Sequence, residues 1–253
     1  MLIARVMPCL LLKDGSLVKT IQFKDPSYVG DPINTIRIYN DKEVDELIVV
    51  DIAATVENKE PNFPLLREIA SECFMPVTYG GAVQTLKQVE TIFRLGIEKV
   101  AVNSYAFKNP QFVRAIASAF GNQSVVISID VKKNLWGQYK VYARGGREAT
   151  GLDPVEHAVR MEEMGAGEIL LTSIDRDGTM QGYDLDLIRR VAGAVHLPVI
   201  ACGGAGRVAD FGEAVKQGGA SAAAAGSMVV YYGRNRAVLI NFPTRREIME
   251  ALA

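Results

Sequence analysis

Asp130 is the residue whose position most invites chemistry, because it closes an otherwise apolar run, Val125-Val126-Ile127-Ser128-Ile129. Burial of a carboxylate raises its pKa toward the range useful for passing protons, although the same residue type also caps turns. Other polar residues end comparable runs: Asp51, Gly80-Gly81, Asn103-Ser104, Thr172-Ser173, Asp175, Asp177-Gly178-Thr179, Gly203-Gly204 and Gly226-Ser227, with Lys19 in the long segment after the first run. A Gly-Gly turn lets backbone N–H groups approach an anion closely, and a hydroxyl on the next strand end adds a donor. Gly81 with Asn103 and Ser104 therefore forms one candidate phosphate cradle, and Gly204 with Gly226 and Ser227, helped by Gly178, forms a second. A ligand with a phosphate at each end would span both. Gly-Gly also serves simply to turn a strand into a helix. Asp51 and Asp177 are readable either as binders of ribose-type hydroxyls or as loop formers. The stretch Gly203-Gly204-Ala205-Gly206 lacks the glycine spacing and later acid of a dinucleotide fingerprint.

Several chemistries are disfavoured. With 28 basic and 29 acidic residues, a net charge of −1 and no local Lys/Arg cluster, the chain offers no electrostatic case for nucleic acid or anionic lipid. The two histidines, His157 and His196, have no evident reason to meet a cysteine, and no metal-ligand spacing is present. No cofactor or metal is expected. Cys9, Cys73 and Cys202, odd in number and widely spaced, argue for a reducing compartment over a disulfide framework. Residues 1–12 are apolar but short and are followed at once by Lys13 and Asp14, so they read as a first strand instead of a signal peptide. No run reaches transmembrane length. A soluble, cytoplasmic protein is the expectation.

The elements that must position these residues repeat. Residues 45–50 answer to 167–172, 75–81 to 197–204 and 96–104 to 219–227, about 122 residues apart, as a fold built from two equal halves would leave. The repetition breaks at Asp130, whose counterpart is Leu11. Eight short apolar runs, at 4–12, 46–52, 76–79, 99–103, 124–130, 168–173, 198–201 and 222–225, alternate with stretches of helical spacing. Leu65, Ile69 and Cys73 share one helix face, Leu86, Val89 and Ile92 the next, and Phe112, Ile116 and Phe120 a later one. Asn109-Pro110 and Asp153-Pro154 supply helix starts. Apolar strands each followed by a helix imply a parallel sheet covered outside, and eight imply a (β/α)8 barrel, here one domain over residues 1–253. Barrel chemistry sits at the carboxyl ends of the strands, where the polar residues above fall. The segments 13–30 and 131–151 are long enough to act as lids. At the opposite end, Arg5, Glu46, Lys99 and Glu168 begin strands one, two, four and six, so a cylinder would gather four charges of alternating sign, by default a solvated, salt-bridged floor.

With these residues assembled, the chain resembles the cyclase subunit of imidazole glycerol phosphate synthase from its start to about Gly226. The runs 165–179 and 201–206 carry the resemblance most specifically. It implies a (β/α)8 barrel that takes ammonia from a glutaminase docked on the floor. Arg5, Glu46, Lys99 and Glu168 would then be the gate of an ammonia channel, and the substrate a ribulosyl nucleotide with two phosphates. The family's reaction uses two aspartates as acid and base; Asp130 matches one and Leu11 stands at the other. Ala82 and Thr20 replace usual glycines, Ser104 replaces threonine, and the tail from Val229 departs from the cyclase ending. This pattern is similar to a paralogous branch associated with surface-polysaccharide synthesis, in which barrel and glutaminase supply ammonia to a sugar amidotransferase. The competing readings are an ordinary cyclase of histidine biosynthesis, with Lys19, Asp130 or a water covering for Leu11, and a phosphosugar-binding scaffold without chemistry.

Overall fold

The computed structural model describes residues 4–233 and 235–253; residues 1–3 and Arg234, within the expected domain, lie outside the described set. β1 (Arg5–Lys13) continues into β2 (Ser16–Ile21) and β3 (Lys24–Gly30) before α1 (Pro32–Asp41). β4 (Leu47–Asp51), α2 (Phe63–Glu72), β5 (Val77–Gly80), α3 (Leu86–Arg94), β6 (Lys99–Val102), α4 (Ser104–Lys108) and α5 (Pro110–Phe120) follow. The second half repeats the plan with β7 (Val125–Lys133), its partners β8 (Tyr139–Ala143) and β9 (Glu148–Ala149), α6 (Pro154–Glu163), β10 (Glu168–Ser173) and α7 (Leu185–Ala192). β11 (Val199–Cys202), α8 (Ala209–Lys216), β12 (Ala222–Ala225) and α9 (Ser227–Val230) complete it, and β13 (Tyr231–Tyr232), β14 (Ala237–Val238) and α10 (Arg245–Leu252) form the tail.

Parallel pairing runs β1–β4–β5–β6–β7–β10–β11–β12 and returns from β12 to β1, with Arg5 beside Ala222. The sheet is therefore closed, a (β/α)8 barrel without edges. Each barrel strand matches a run read from the sequence to within a few residues. Helix starts follow local chemistry: Asp31 and Asp153 accept hydrogen bonds from the first-turn amides of α1 and α6, each just before a proline. Asn109 precedes α5 without a side-chain capping bond. The core divides in two. Outward strand residues such as Val6, Leu47 and Ile127 pack under the helices, whereas Met7, Ile48, Val126, Leu170 and Ile200 fill the barrel interior.

The two long segments are not irregular loops. Asp14 and Gly15 both take positive φ (49° and 79°) between the paired residues Lys13 and Ser16, the two-residue turn that suits a twisted hairpin. A second tight turn, Gln22 and Phe23 (φ 52° and 63°), joins Ile21 to Lys24. The left-handed conformation costs roughly 1–2 kcal/mol per non-glycine residue, so this tip needs compensating contacts. They are described below. Lys19 thus lies on a strand, β2, and the segment after β7 likewise continues antiparallel as β8 and β9.

Gly212 on α8 lies so close to α10 that a Cβ there would stand 2.1 Å from the Ala251 carbonyl oxygen. Gly212→Ala should push α10 away and cost about 1–3 kcal/mol, as overpacking does. Thermal unfolding should record a melting temperature lower by several degrees, about 2–4 °C per kcal/mol.

Candidate functional site

At the amino-terminal floor the four expected charges meet. Arg5 donates to Glu46 and to Glu168 through separate guanidinium nitrogens, and the Lys99 ammonium lies 3.0 Å from Glu46 and 3.1 Å from Glu168. Each charge touches two of opposite sign, closing a ring. The strand starts of β1, β6 and β10, with the residue before β4, aim these side chains inward by the two-residue alternation of extended chain. Above the ring, Met7, Ile48, Val126, Ile200 and Ala222, none more than 1% exposed, form an apolar layer.

Over that layer opens a cavity of about 400 Å³ at the carboxyl ends of the strands. Its wall contains Leu11, Lys19, Asp51, Gly81, Asn103, Ser104, Asp130, Thr172, Asp177, Gly178, Gly204, Gly226 and Ser227, whereas Ser173, Asp175 and Thr179, also read from the sequence as strand-end residues, do not line it. Asp130 is buried; its Oδ2 accepts from Asn103 at 3.1 Å. Burial first, and the nearby Asp177 charge second, push its pKa up to about 7, while the Ser128 and Thr172 hydroxyls hold it back. Asp51 spends one oxygen on the Ala53 and Ala54 amides at 2.9 Å, so it forms the loop after β4. Asp177 accepts from Thr20 at 2.9 Å and stands 3.9 Å from the Lys19 ammonium. Its backbone carbonyl takes the Gln22 amide, and Gln22 Nε2 reaches the Asp175 carbonyl, each at 2.9 Å. These bonds hold down the strained tip of the β2–β3 hairpin. Phe23 there packs against Gly146, between β8 and β9, so the two excursions meet over the mouth.

The glycines read as cradle residues are each hemmed in. A Cβ on Gly81 would lie 2.7 Å from the Asp51 Cβ, one on Gly178 2.2 Å from the Thr20 carbonyl oxygen, and one on Gly204 2.2 Å from the Gly182 carbonyl oxygen. All three take positive φ. Gly226 lies beneath the Lys19 ammonium, 2.5 Å from where a Cβ would be.

Among the cavity residues not anticipated from sequence are two thiols. Cys9 on β1 and Cys202 on β11 neighbour each other in the cavity wall. The adjoining Cys202 thiol, aided by the Lys19 charge against the opposing effect of burial, pulls the Cys9 thiol below its ordinary value. The same proximity, together with burial, pushes Cys202 well up. The signal was available: Cys9 shares the two-residue face of β1 with Leu11. Among the described residues no cluster of three or more His, Cys, Asp or Glu side chains could hold a metal, and no helix is long and apolar enough to cross a membrane.

Comparison with known proteins places this geometry. The family model described as histidine biosynthesis protein matches residues 5–235. A Pseudomonas aeruginosa protein with the provisional name imidazole glycerol phosphate synthase subunit hisF2 is 54% identical, the match covering 94% of this chain and 95% of that one. A Vibrio vulnificus protein provisionally named subunit hisF3 of the same synthase is 44% identical over 100% and 97%. The imidazole glycerol phosphate synthase subunit HisF of Alkaliphilus metalliredigens is 46% identical over 91% and 92%.

A carboxyl group whose pKa is raised by folding binds its proton more tightly in the native state. Asp130 therefore favours folding fully below the unfolded value of 3.8, and that contribution is lost as pH rises through about 7. Asp130→Asn, which cannot ionise, should gain stability relative to the parent between pH 4 and pH 8, by on the order of 4 kcal/mol at the upper end. Urea unfolding of both proteins across that range checks it; parallel pH profiles would contradict the assignment.

Proposed function

Because the chain belongs to the histidine biosynthesis protein family, as an imidazole glycerol phosphate synthase subunit of the HisF type, we propose that it conducts ammonia from a partner glutaminase. The glutaminase sits on the floor of the barrel, and the ammonia emerges at the mouth. There it serves a separate amidotransferase that amidates a sugar for a surface polysaccharide. One contrast carries the reading: the four-charge ring is complete at the floor, while Leu11 occupies the mouth position where the family reaction needs a second carboxyl group.

The chemistry follows from the residues. Cyclisation in this family requires protons to be given and taken by two groups, and a leucine exchanges none. Losing one of two such groups forfeits about a hundredfold to ten-thousandfold in rate. Conduction makes no such demand. It needs a passage in which neutral ammonia is tolerated and ammonium is not, and an apolar layer imposes that selection, because an unpaired charge is costly to bury. Met7, Ile48, Val126, Ile200 and Ala222 supply the layer. Lys99, the flexible member of the ring, is its natural moving part, since its two bonds to Glu46 and Glu168 can break by rotation of one side chain.

Lys99→Glu would set three carboxylates against Arg5. Glutamine-driven amidation by the assembled glutaminase, barrel and amidotransferase should fall at least about tenfold, while the same reaction driven by added ammonium salt stays near its original rate. Equal loss in both assays would contradict conduction. Turnover of the biphosphorylated ribulosyl substrate with ammonium salt should be lower than that of an intact cyclase by about a hundredfold or more, and Leu11→Asp should recover part of it. Cyclase turnover at an intact enzyme's rate would overturn the proposal in favour of histidine biosynthesis.

A further inference from the structure

We propose that the carboxyl-end rim of this barrel is a protein-docking surface anchored on three hairpins, and that its occupant is the enzyme that consumes the ammonia. The inference gives the reading above its contact surface and rests on it for the identity of that enzyme. Of the eleven large apolar side chains that stand exposed among the described residues, seven lie on or beside these hairpins. The other four are spread singly over α1, α3, α10 and the segment before β5. Apolar residues scattered over a surface need no explanation, whereas their gathering about one opening does.

All three hairpins leave the mouth end of the barrel. β7 continues past Asp130, and Leu135 and Trp136 occupy its turn into β8, 99% and 82% exposed. At 3.3 Å or so per residue, Asn134 lies about 13 Å along the strand from the buried carboxyl group. This turn is pinned from within: Asn134 Oδ1 accepts from the Trp136 and Gln138 amides at 3.0 and 2.9 Å, and Asn134 Nδ2 donates to Gln138 Oε1 at 3.0 Å. At its foot the Tyr139 hydroxyl donates to Asp184, just before α7, at 2.7 Å, and the Lys133 and Arg190 cations lie 4.7 and 5.4 Å from the ring centre. The β2–β3 hairpin crosses the opening, with Phe23 and Pro26 in the cavity wall and Ile21 and Tyr28 exposed. The third, β13–β14, follows β12 and α9; its Arg236 donates to the carbonyl of Gly178, a cavity residue, at 2.8 Å. It exposes Tyr232 and Val238, with Leu239 beside them, and belongs to the tail that departs from the cyclase ending.

A turn already pinned loses little freedom on docking, and a tryptophan held out in this way is the residue type that most often anchors an interface. Large aromatics bury about 150–250 Å² each. Trp136, with Tyr28 and Tyr232 each 68% exposed, therefore leaves roughly 330–550 Å² open to a partner, a large part of the area of about 800 Å² that each side of a stable complex covers. What surrounds the opening decides the occupant. Ammonia that escapes into neutral water is protonated and lost as a nucleophile, so its consumer must close the rim against solvent, and apolar anchors around the cavity do that. A second copy seated mouth to mouth would join two exits with no acceptor between them. An anionic lipid surface would call for basic residues at each tip, whereas β2–β3 sets Asp25 beside Lys24 and the chain carries a net charge of −1.

Trp136 is the chain's only tryptophan, so the full chain grown with 5-fluorotryptophan carries a single fluorine resonance, at the tip itself. The amidotransferase of the three-protein assay should shift that resonance, whereas vesicles of phosphatidylethanolamine and phosphatidylglycerol, or concentrating the barrel alone, should leave it in place. No shift with the amidotransferase would overturn the proposal, as would a shift with vesicles, which favours a membrane, or with concentration, which favours a second copy. In calorimetry, the double variant Leu135→Ser, Trp136→Ser should weaken amidotransferase binding about tenfold or more with an unchanged melting temperature, since both side chains stand in solvent. Phe74→Ser, at a residue 88% exposed on the floor side before β5, should leave that affinity as it was; equal weakening by both would contradict a rim site. Docking and conduction fail separately. The rim is refuted if the resonance stays put while Lys99→Glu still slows only the glutamine-driven reaction, and conduction is refuted if Lys99→Glu slows both reactions while the resonance still moves.

Discussion

The closed ring of Arg5, Glu46, Lys99 and Glu168 constrains everything above it. Two cations and two carboxylates largely removed from water are tolerable only because each is bonded to two partners of opposite sign. Removing one from a buried set leaves the others uncompensated, at a cost of about 3–5 kcal/mol. The ring also couples four strand starts that lie far apart in sequence, Arg5 and Glu168 being 163 residues apart. A slip of one residue in any of these strands would turn its charge into the apolar layer beneath the helices. The ring thus fixes register at the floor, and register at the floor decides which side chains face the cavity at the other end. Leu11 and Asp130 line the mouth for the same reason that Arg5 points into the ring: even spacing along a strand.

From that register follows the electrostatic division of the mouth. Asp177 has Thr20 and, more distantly, Lys19 to compensate its charge, whereas Asp130 has an amide from Asn103 and two hydroxyls. Burial and the neighbouring Asp177 charge both disfavour the ionised form of Asp130, so a proton is retained there. A family member with a carboxyl group in place of Leu11 would add a further acid to compete for that proton, whereas the hydrocarbon here adds none.

The barrel was legible because its strands are buried on both faces and so read as unbroken apolar runs, and because helical spacing separates them. The ring was legible once eight strands were recognised, since a strand start fixes a direction. The hairpins were read only as length, although Asp14-Gly15 between apolar runs is a two-residue turn signal. Other features depend on contacts that no local pattern encodes. Thr55 reaches Ala82 across 27 residues, and the Arg144 amide reaches Ser104 across 40, so the cradles look equivalent in sequence and differ in space. Cys9 and Cys202 meet because β1 and β11 flank β12, whose Ala222-Ala223-Ala224-Ala225 leaves room at the interior. Asp51 had two readings of equal standing; one of its oxygens shapes its loop through two amides, and the residue also lines the cavity.

The hairpin over the mouth bears on what can enter. Its tip holds Gln22 and Phe23 in a conformation that costs about 1–2 kcal/mol for each, and it stays there through the Thr20 hydroxyl, the Gln22 amide and the Gln22 side chain, all bonded to the loop after β10. Glycine at position 20 would provide no hydroxyl, and the strained tip would then hang on two bonds in place of three. Thr20 thus ties the hairpin down over a mouth in which Leu11 leaves Asp130 without a carboxyl counterpart on β1.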